Sequence, residues 1–200
     1  MRVLLMVFLA VMGLAQVCLG QTNPPREING FRLGEEVKGY LSRLDWVGVE
    51  NDLTEDHLRM VAIRKTEHFR SGLLAFGACA QPGQVLRVKL NYDDQSLDFF
   101  DKVLAALKDR YGEPDKWRGN PFGTLRTWKW SFTDPKLGDI SLILQHYSGK
   151  DDAYTKGNSI RISATSLIQR ELDCYNRKRP PAGNAPASPE ASRPDWYLPR

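Results

Sequence analysis

Residues 85–114, VLRVKLNYDDQSLDFFDKVLAALKDRYGEP, hold the fold in miniature. Leu86, Val88, Leu90 and Tyr92 alternate with Arg87, Lys89 and Asn91, the period of a strand with one wet side. Asp93, Asp94 or Ser96 can then cap a helix, in which Leu97, Phe100, Leu104, Leu107 and Tyr111 recur at helical spacing as one apolar stripe. Gly112 and Pro114 stop it. A strand with one dry face, followed at once by a helix with one dry stripe, predicts an α+β domain in which helix covers sheet.

The pattern continues in both directions. Residues 124–133 set Trp128, Trp130 and Phe132 against Thr127, Lys129, Ser131 and Thr133. Ile140, Leu142 and Leu144 alternate in the same way over 139–147, and Ile160 and Ile162 over 159–164. These segments predict three antiparallel strands, preceded by a turn-rich connection after Gly112. A final helix over 165–177 is predicted to turn Ile168, Leu172 and Tyr175 inward. On the N-terminal side, residues 73–80 read as a buried strand carrying Cys79, 58–66 as a strand and 46–49 as a short one. Val37, Tyr40, Leu41 and Leu44 predict a one-sided helix after a first ordered piece at Gly30–Gly34. The expected architecture is a two-layer helix-on-antiparallel-sheet domain, with two helix-plus-meander repeats as the finer expectation.

The ends differ in kind from this middle. Arg2, the apolar run Val3–Ala15 and the close at Cys18-Leu19-Gly20 follow the order of a secretory signal peptide. The run is shorter than the roughly 20 residues a bilayer span needs. Small residues at Cys18 and Gly20 place cleavage after Gly20. A lipid anchor at Cys18 is the weaker alternative, because Val17 stands where a lipobox takes a small residue. The expected organisation is signal peptide 1–20, flexible lead-in 21–28, one α+β domain 29–178 and a disordered Pro-rich tail 179–200. The mature chain would have no transmembrane span and would be periplasmic or secreted.

The net charge of +4 belongs mostly to the ends. Arg177, Lys178, Arg179, Arg193 and Arg200 outnumber Glu190 and Asp195, which leaves the folded part near neutral. Nucleic-acid binding is disfavoured on that ground. Removal of Cys18 with the signal leaves Cys79 and Cys174, an even pair that predicts a disulfide in an oxidising compartment.

No chemistry announces itself. There is no Gly-x-Ser-x-Gly turn, no Gly-rich phosphate loop and no calcium-loop spacing, and His57, His68 and His146 stand in no ligand motif. Asp93-Asp94 and Asp151-Asp152 suit caps and turns. The expectation is no catalytic, cofactor-binding or metal-ligating residues and no cofactor. Trp128, Trp130, Trp196 and Tyr197 form a candidate contact surface; covered by the 97–111 helix, the first two would be core.

Phe31-Arg32-Leu33-Gly34 leads into a helix, and Tyr111-Gly112-Glu113-Pro114 closes one before a Trp-containing strand. Over residues 29–165 this pattern resembles small exported bacterial proteins of BamE-like and β-lactamase-inhibitor-like architecture. The resemblance implies a role in binding other proteins without assigning a partner; the expectation is a non-catalytic binding or envelope-interaction module whose partner is another envelope protein. The alternatives are a small hydrolase with a spatially assembled site, or a lipid- or glycan-binding cup between helices and sheet.

Overall fold

Alternating residues need a partner strand on each side, and the turns between the segments are short, so neighbouring strands pair as antiparallel meanders. The computed structural model describes residues 23–51, 57–151 and 154–178. A small hairpin of β1 (Glu27–Ile28) and β2 (Phe31–Arg32) leads to a 3₁₀ helix at Val37–Arg43. Then come β3 (Leu44–Asn51), β4 (Leu58–Ile63), β5 (Phe69–Gly77), β6 (Val85–Tyr92) and α1 (Leu97–Tyr111). They are followed by β7 (Lys116–Gly119), β8 (Leu125–Asp134), β9 (Gly138–Tyr147), β10 (Gly157–Ala164) and α2 (Thr165–Lys178). Strands β3 to β10 form one eight-stranded antiparallel sheet in the order β3-β4-β5-β6-β10-β9-β8-β7. The fold is α+β and dominated by its sheet.

Register fixes what each face carries. Trp130, Leu142, Ile162, Val88, Leu74 and Val61 lie opposite one another in a row across six strands. Trp128, Leu144, Ile160 and Leu90 form the next row on the same face. These rows join Phe31, Val37, Tyr40, Phe100 and Leu167 in one core cluster. Full burial of each large apolar side chain contributes about 1.5–3 kcal/mol before entropy is charged.

Helix α1 forms as its sequence dictates. Ser96 Oγ accepts from Phe99 N at 3.2 Å, and Gly112, at φ +79°, takes a backbone conformation that side chains resist. The stripe Leu97, Val103, Leu104, Leu107 and Tyr111 packs against the core, and Phe100 is buried. Trp130 is 2 % exposed and its indole N–H donates to Gly112 O at 2.8 Å, so sheet and helix end are tied together.

Helix α2 is rotated slightly from the sequence expectation, with Ile168 of the expected stripe still packed against the core. Leu167 and Glu171 are its buried residues, while Ile168, Leu172 and Tyr175 are half-buried. Two long-range links set this rotation. Cys174 is disulfide-bonded to Cys79, and the Glu171 carboxylate accepts from the backbone N–H groups of Ala78 (3.1 Å), Cys79 (2.7 Å) and Gln81. Near the N-terminus, Arg26 pairs with Asp134 and Leu33 N donates to Arg26 O at 2.8 Å. Of the residues read from sequence as a flexible lead-in, Arg26 is therefore tied to β8, and residues 27–28 pair with β2 in the small hairpin. The proposed signal peptide and Cys18, and the tail with Trp196 and Tyr197, lie outside the described residues.

Candidate functional site

Residues that alternate with the core point to the other face of the sheet. Lys116 (β7), Lys129 (β8), Ile143 (β9), Arg161 (β10) and Lys89 (β6) lie opposite one another in a single row across five neighbouring strands. The next row is Arg118, Thr127, Gln145, Ser159, Asn91 and Ser71, cationic at one end and neutral hydrogen-bonding elsewhere. Like charges directly opposite on neighbouring strands destabilise a sheet, and Lys116/Lys129 and Arg161/Lys89 are two such pairs.

The face is troughed rather than flat. Residues 154–156 wall it on one side, held there by Lys89 Nζ donating to Thr155 Oγ1 at 2.8 Å and by Arg70 donating to Lys156 O. Strand β7 walls it on the other side. Between them runs a groove of about 590 Å³ containing Lys89, Lys116, Arg118, Lys129 and Arg161, with Gln145 and Thr127 on its floor. No carboxylate among the described residues lines it. Burial pushes the Lys89 ammonium below its usual range, and the guanidinium groups of Arg161 and Arg70 add to that repulsion. The groove is thus a concentration of positive charge in which one member is already penalised for being charged. An anion placed there would relieve that penalty.

A second cleft of about 450 Å³ lies between the first half of α1 and the β7–β8 hairpin, lined by Phe100, Leu104, Trp117 and Trp128 together with Asp101 and Arg126. Trp117 borders both cavities.

The residues singled out from sequence fall in different places. Trp130 is core. Trp128 is half-buried beneath Lys108, whose ammonium lies 5.4 Å from its ring centre. The helix covers that face, so neither offers an open aromatic ladder; among the described residues the exposed tryptophans are Trp117, at 58 %, and Trp46, at 36 %. His146 is buried against Phe100, and its Nδ1 lies 2.7 Å from Asn158 Oδ1. Asn158 Nδ2 donates to the carbonyls of Asp94 and Ser96, so Oδ1 is the acceptor and His146 carries its proton on Nδ1. This network pins the start of α1 to the sheet. His68 is exposed in a turn beside Glu67. Asp94 accepts from Ser96 N and Oγ, which holds its carboxyl below the usual range, and Asp151 accepts from Tyr147 OH. Among the described residues no three His, Cys, Asp or Glu side chains converge as a metal site would require, and no helix is long and apolar enough to cross a membrane.

Sequence reasoning missed the groove because it summed charge over the domain. The signal was present strand by strand: Arg87 and Lys89, Lys129, and Arg161 all occupy the outward phase of their alternations. Lys116 and Arg118 were hidden because β7 is only four residues long and follows Gly112 and Pro114. No family model, curated protein or solved structure matches the chain.

Proposed function

We propose that this chain is a non-catalytic binding module, exported and matured outside the reducing cytoplasm, that presents the open face of its sheet to an anionic partner. One observation carries the reading: four basic side chains in one cross-strand row, Lys116, Lys129, Arg161 and Lys89, border a groove lined by no described carboxylate. Edge protection accounts for cations on β7. It does not account for those on β8, β10 and β6, which are interior strands.

The element order supports the finer architecture. A 3₁₀ helix precedes the four strands β3–β6, and α1 precedes the four strands β7–β10. We read these as two helix-plus-meander units joined through their last strands, with helices layered on one sheet face as in the β-lactamase-inhibitor-like proteins. The disulfide is compatible with export. N-terminal sequencing of the secreted chain should begin at Gln21; a mature chain starting at a lipidated Cys18 would replace the released form by an anchored one.

Titration of the isotopically labelled protein with tripolyphosphate tests the binding face. Amide shifts should concentrate on β6, β8 and β10, and Lys129→Glu should weaken binding by about tenfold if it removes a charge-assisted contact of 1.5–3 kcal/mol. Absence of binding, or shifts confined to other surfaces, would eliminate the reading.

A further inference from the structure

The β7–β8 hairpin has a composition unlike the rest of the domain. Residues 116–130, KWRGNPFGTLRTWKW, contain Lys116, Arg118, Arg126 and Lys129 and no acidic residue. They also contain Trp117, Phe122, Trp128 and Trp130, of which two serve the helix-covered face as described above. The other two are exposed: Trp117 at 58 % and Phe122, in the connecting turn, at 86 %.

The turn that carries Phe122 is braced. Asn120 Nδ2 donates to Thr124 Oγ1 at 2.7 Å, and Asn120 Oδ1 accepts from Leu125 N at 3.1 Å. Gly123 N donates to Asn120 O at 3.0 Å, and Ser148 N to Thr124 O at 2.9 Å. A phenyl ring is thus held out in solvent on a pre-ordered support, where it costs apolar exposure and adds nothing to the core. Ordering in advance lowers the cost of binding. Single exposed apolar residues are ordinary. A Phe on a hydrogen-bonded hairpin tip, with a second exposed aromatic on the same hairpin and cations on both its strands, is a different feature. Its chemistry matches a surface that is apolar beneath and anionic above, as a bilayer containing anionic lipid is.

We infer that the β7–β8 hairpin is a membrane-docking tip, inserting Phe122 into the interfacial region of an anionic bilayer while Arg118 and Arg126 meet the headgroups. Trp117 then lies at headgroup depth, where its amphipathic ring is favoured. This contact shares Arg118 and Trp117 with the β7 wall of the groove, but it depends on Phe122 and Arg126, which lie outside the groove, and not on Lys89, Lys129 or Arg161.

The test is co-sedimentation of the secreted protein with vesicles of phosphatidylcholine alone and of phosphatidylcholine mixed with phosphatidylglycerol. Binding should require the anionic lipid and weaken as salt rises. Phe122→Ser should reduce the partition coefficient about tenfold or more, and Arg118→Gln and Arg126→Gln about fivefold each. Vesicles with brominated acyl chains should quench the tryptophan emission, and Trp117→Phe should remove most of that quenching. All variants share one N-terminus, so differences between them belong to the hairpin. Phe122 is exposed, and an unchanged thermal melt for Phe122→Ser verifies that the fold is intact. Failure to bind anionic vesicles would overturn the inference. So would binding that Phe122→Ser leaves unchanged but Lys89→Gln weakens, since the groove would then be the contact. Binding of tripolyphosphate without binding of vesicles would sink the tip and leave the groove reading standing.

Discussion

Asp134 closes β8 with its side chain out of solvent, where burial alone would push its carboxyl pKa up. The backbone N–H groups of Leu137 (2.9 Å) and Lys136 (2.8 Å) and the Arg26 guanidinium outweigh that effect, and the carboxyl is held below its ordinary value. A carboxyl depressed in the folded state contributes stability that is present above the unfolded pKa, about 3.9, and is lost as pH falls through the lower folded value. Urea midpoints measured from pH 6 downward should therefore fall below about pH 4, and Asp134→Asn should flatten that decline while costing about 1–3 kcal/mol at neutral pH. An equally steep acid limb in the variant would assign it to other groups. Neither Asp134 nor Glu171 was legible in the sequence. Their partners stand as far away as Arg26 is from Asp134, or Ala78 from Glu171, and no local pattern encodes such a pairing.

At the scale of the element, a strand or helix was legible wherever period and stop signals agreed. Strand β6 and helix α1 satisfy both, and they stand where residues 85–114 predict them. The helix expected through Val37, Tyr40, Leu41 and Leu44 is instead one short 3₁₀ segment ending at Arg43, with Leu41 exposed and Leu44 starting β3. Seven residues with Gly39 in the middle are too few to sustain an α-helix against the cost of nucleation. Helix α2 shows the expected length but buries Leu167 and Glu171 more deeply than the expected Ile168, Leu172 and Tyr175, because Glu171 and Cys174 are bonded to the loop after β5. Between β7 and β8, Lys116 and Lys129 oppose each other with no carboxylate of the described residues in ion-pair contact. Lys116→Gln should therefore stabilise the isolated protein by about 0.2–1 kcal/mol, with the gain shrinking in high salt. Urea denaturation at two salt concentrations checks this. A loss of stability would mean that the Lys116 stem contributes packing worth more than the repulsion.

Across the whole molecule, the near-neutral charge inferred from sequence is correct as a sum and misleading as a distribution. Strand alternation sorts basic residues onto one face, whereas the exposed carboxylates Asp98, Asp101 and Asp109 ride on α1. Only the register that places β10 beside β6 brings Arg161 opposite Lys89, so the row could not be assembled before the topology was known. The Cys79–Cys174 bond spans 95 residues of sequence and encloses most of the sheet. In the chain-entropy model a loop of that length is worth about 4.7 kcal/mol, so reduction should shift the denaturation midpoint strongly downward. A small shift would show that Glu171 and its three backbone donors hold α2 in place without the covalent link. The pairing of β6 with β10 also has a consequence for how the chain is made. Residues 85–92 leave the ribosome long before residues 157–164, so the inner edge of the first meander stays unpaired while more than sixty further residues are synthesised. Until then the nascent chain carries an open template for strand addition. A chain held unfolded for translocation and released only when β10 has arrived would never expose that half-built sheet to its neighbours.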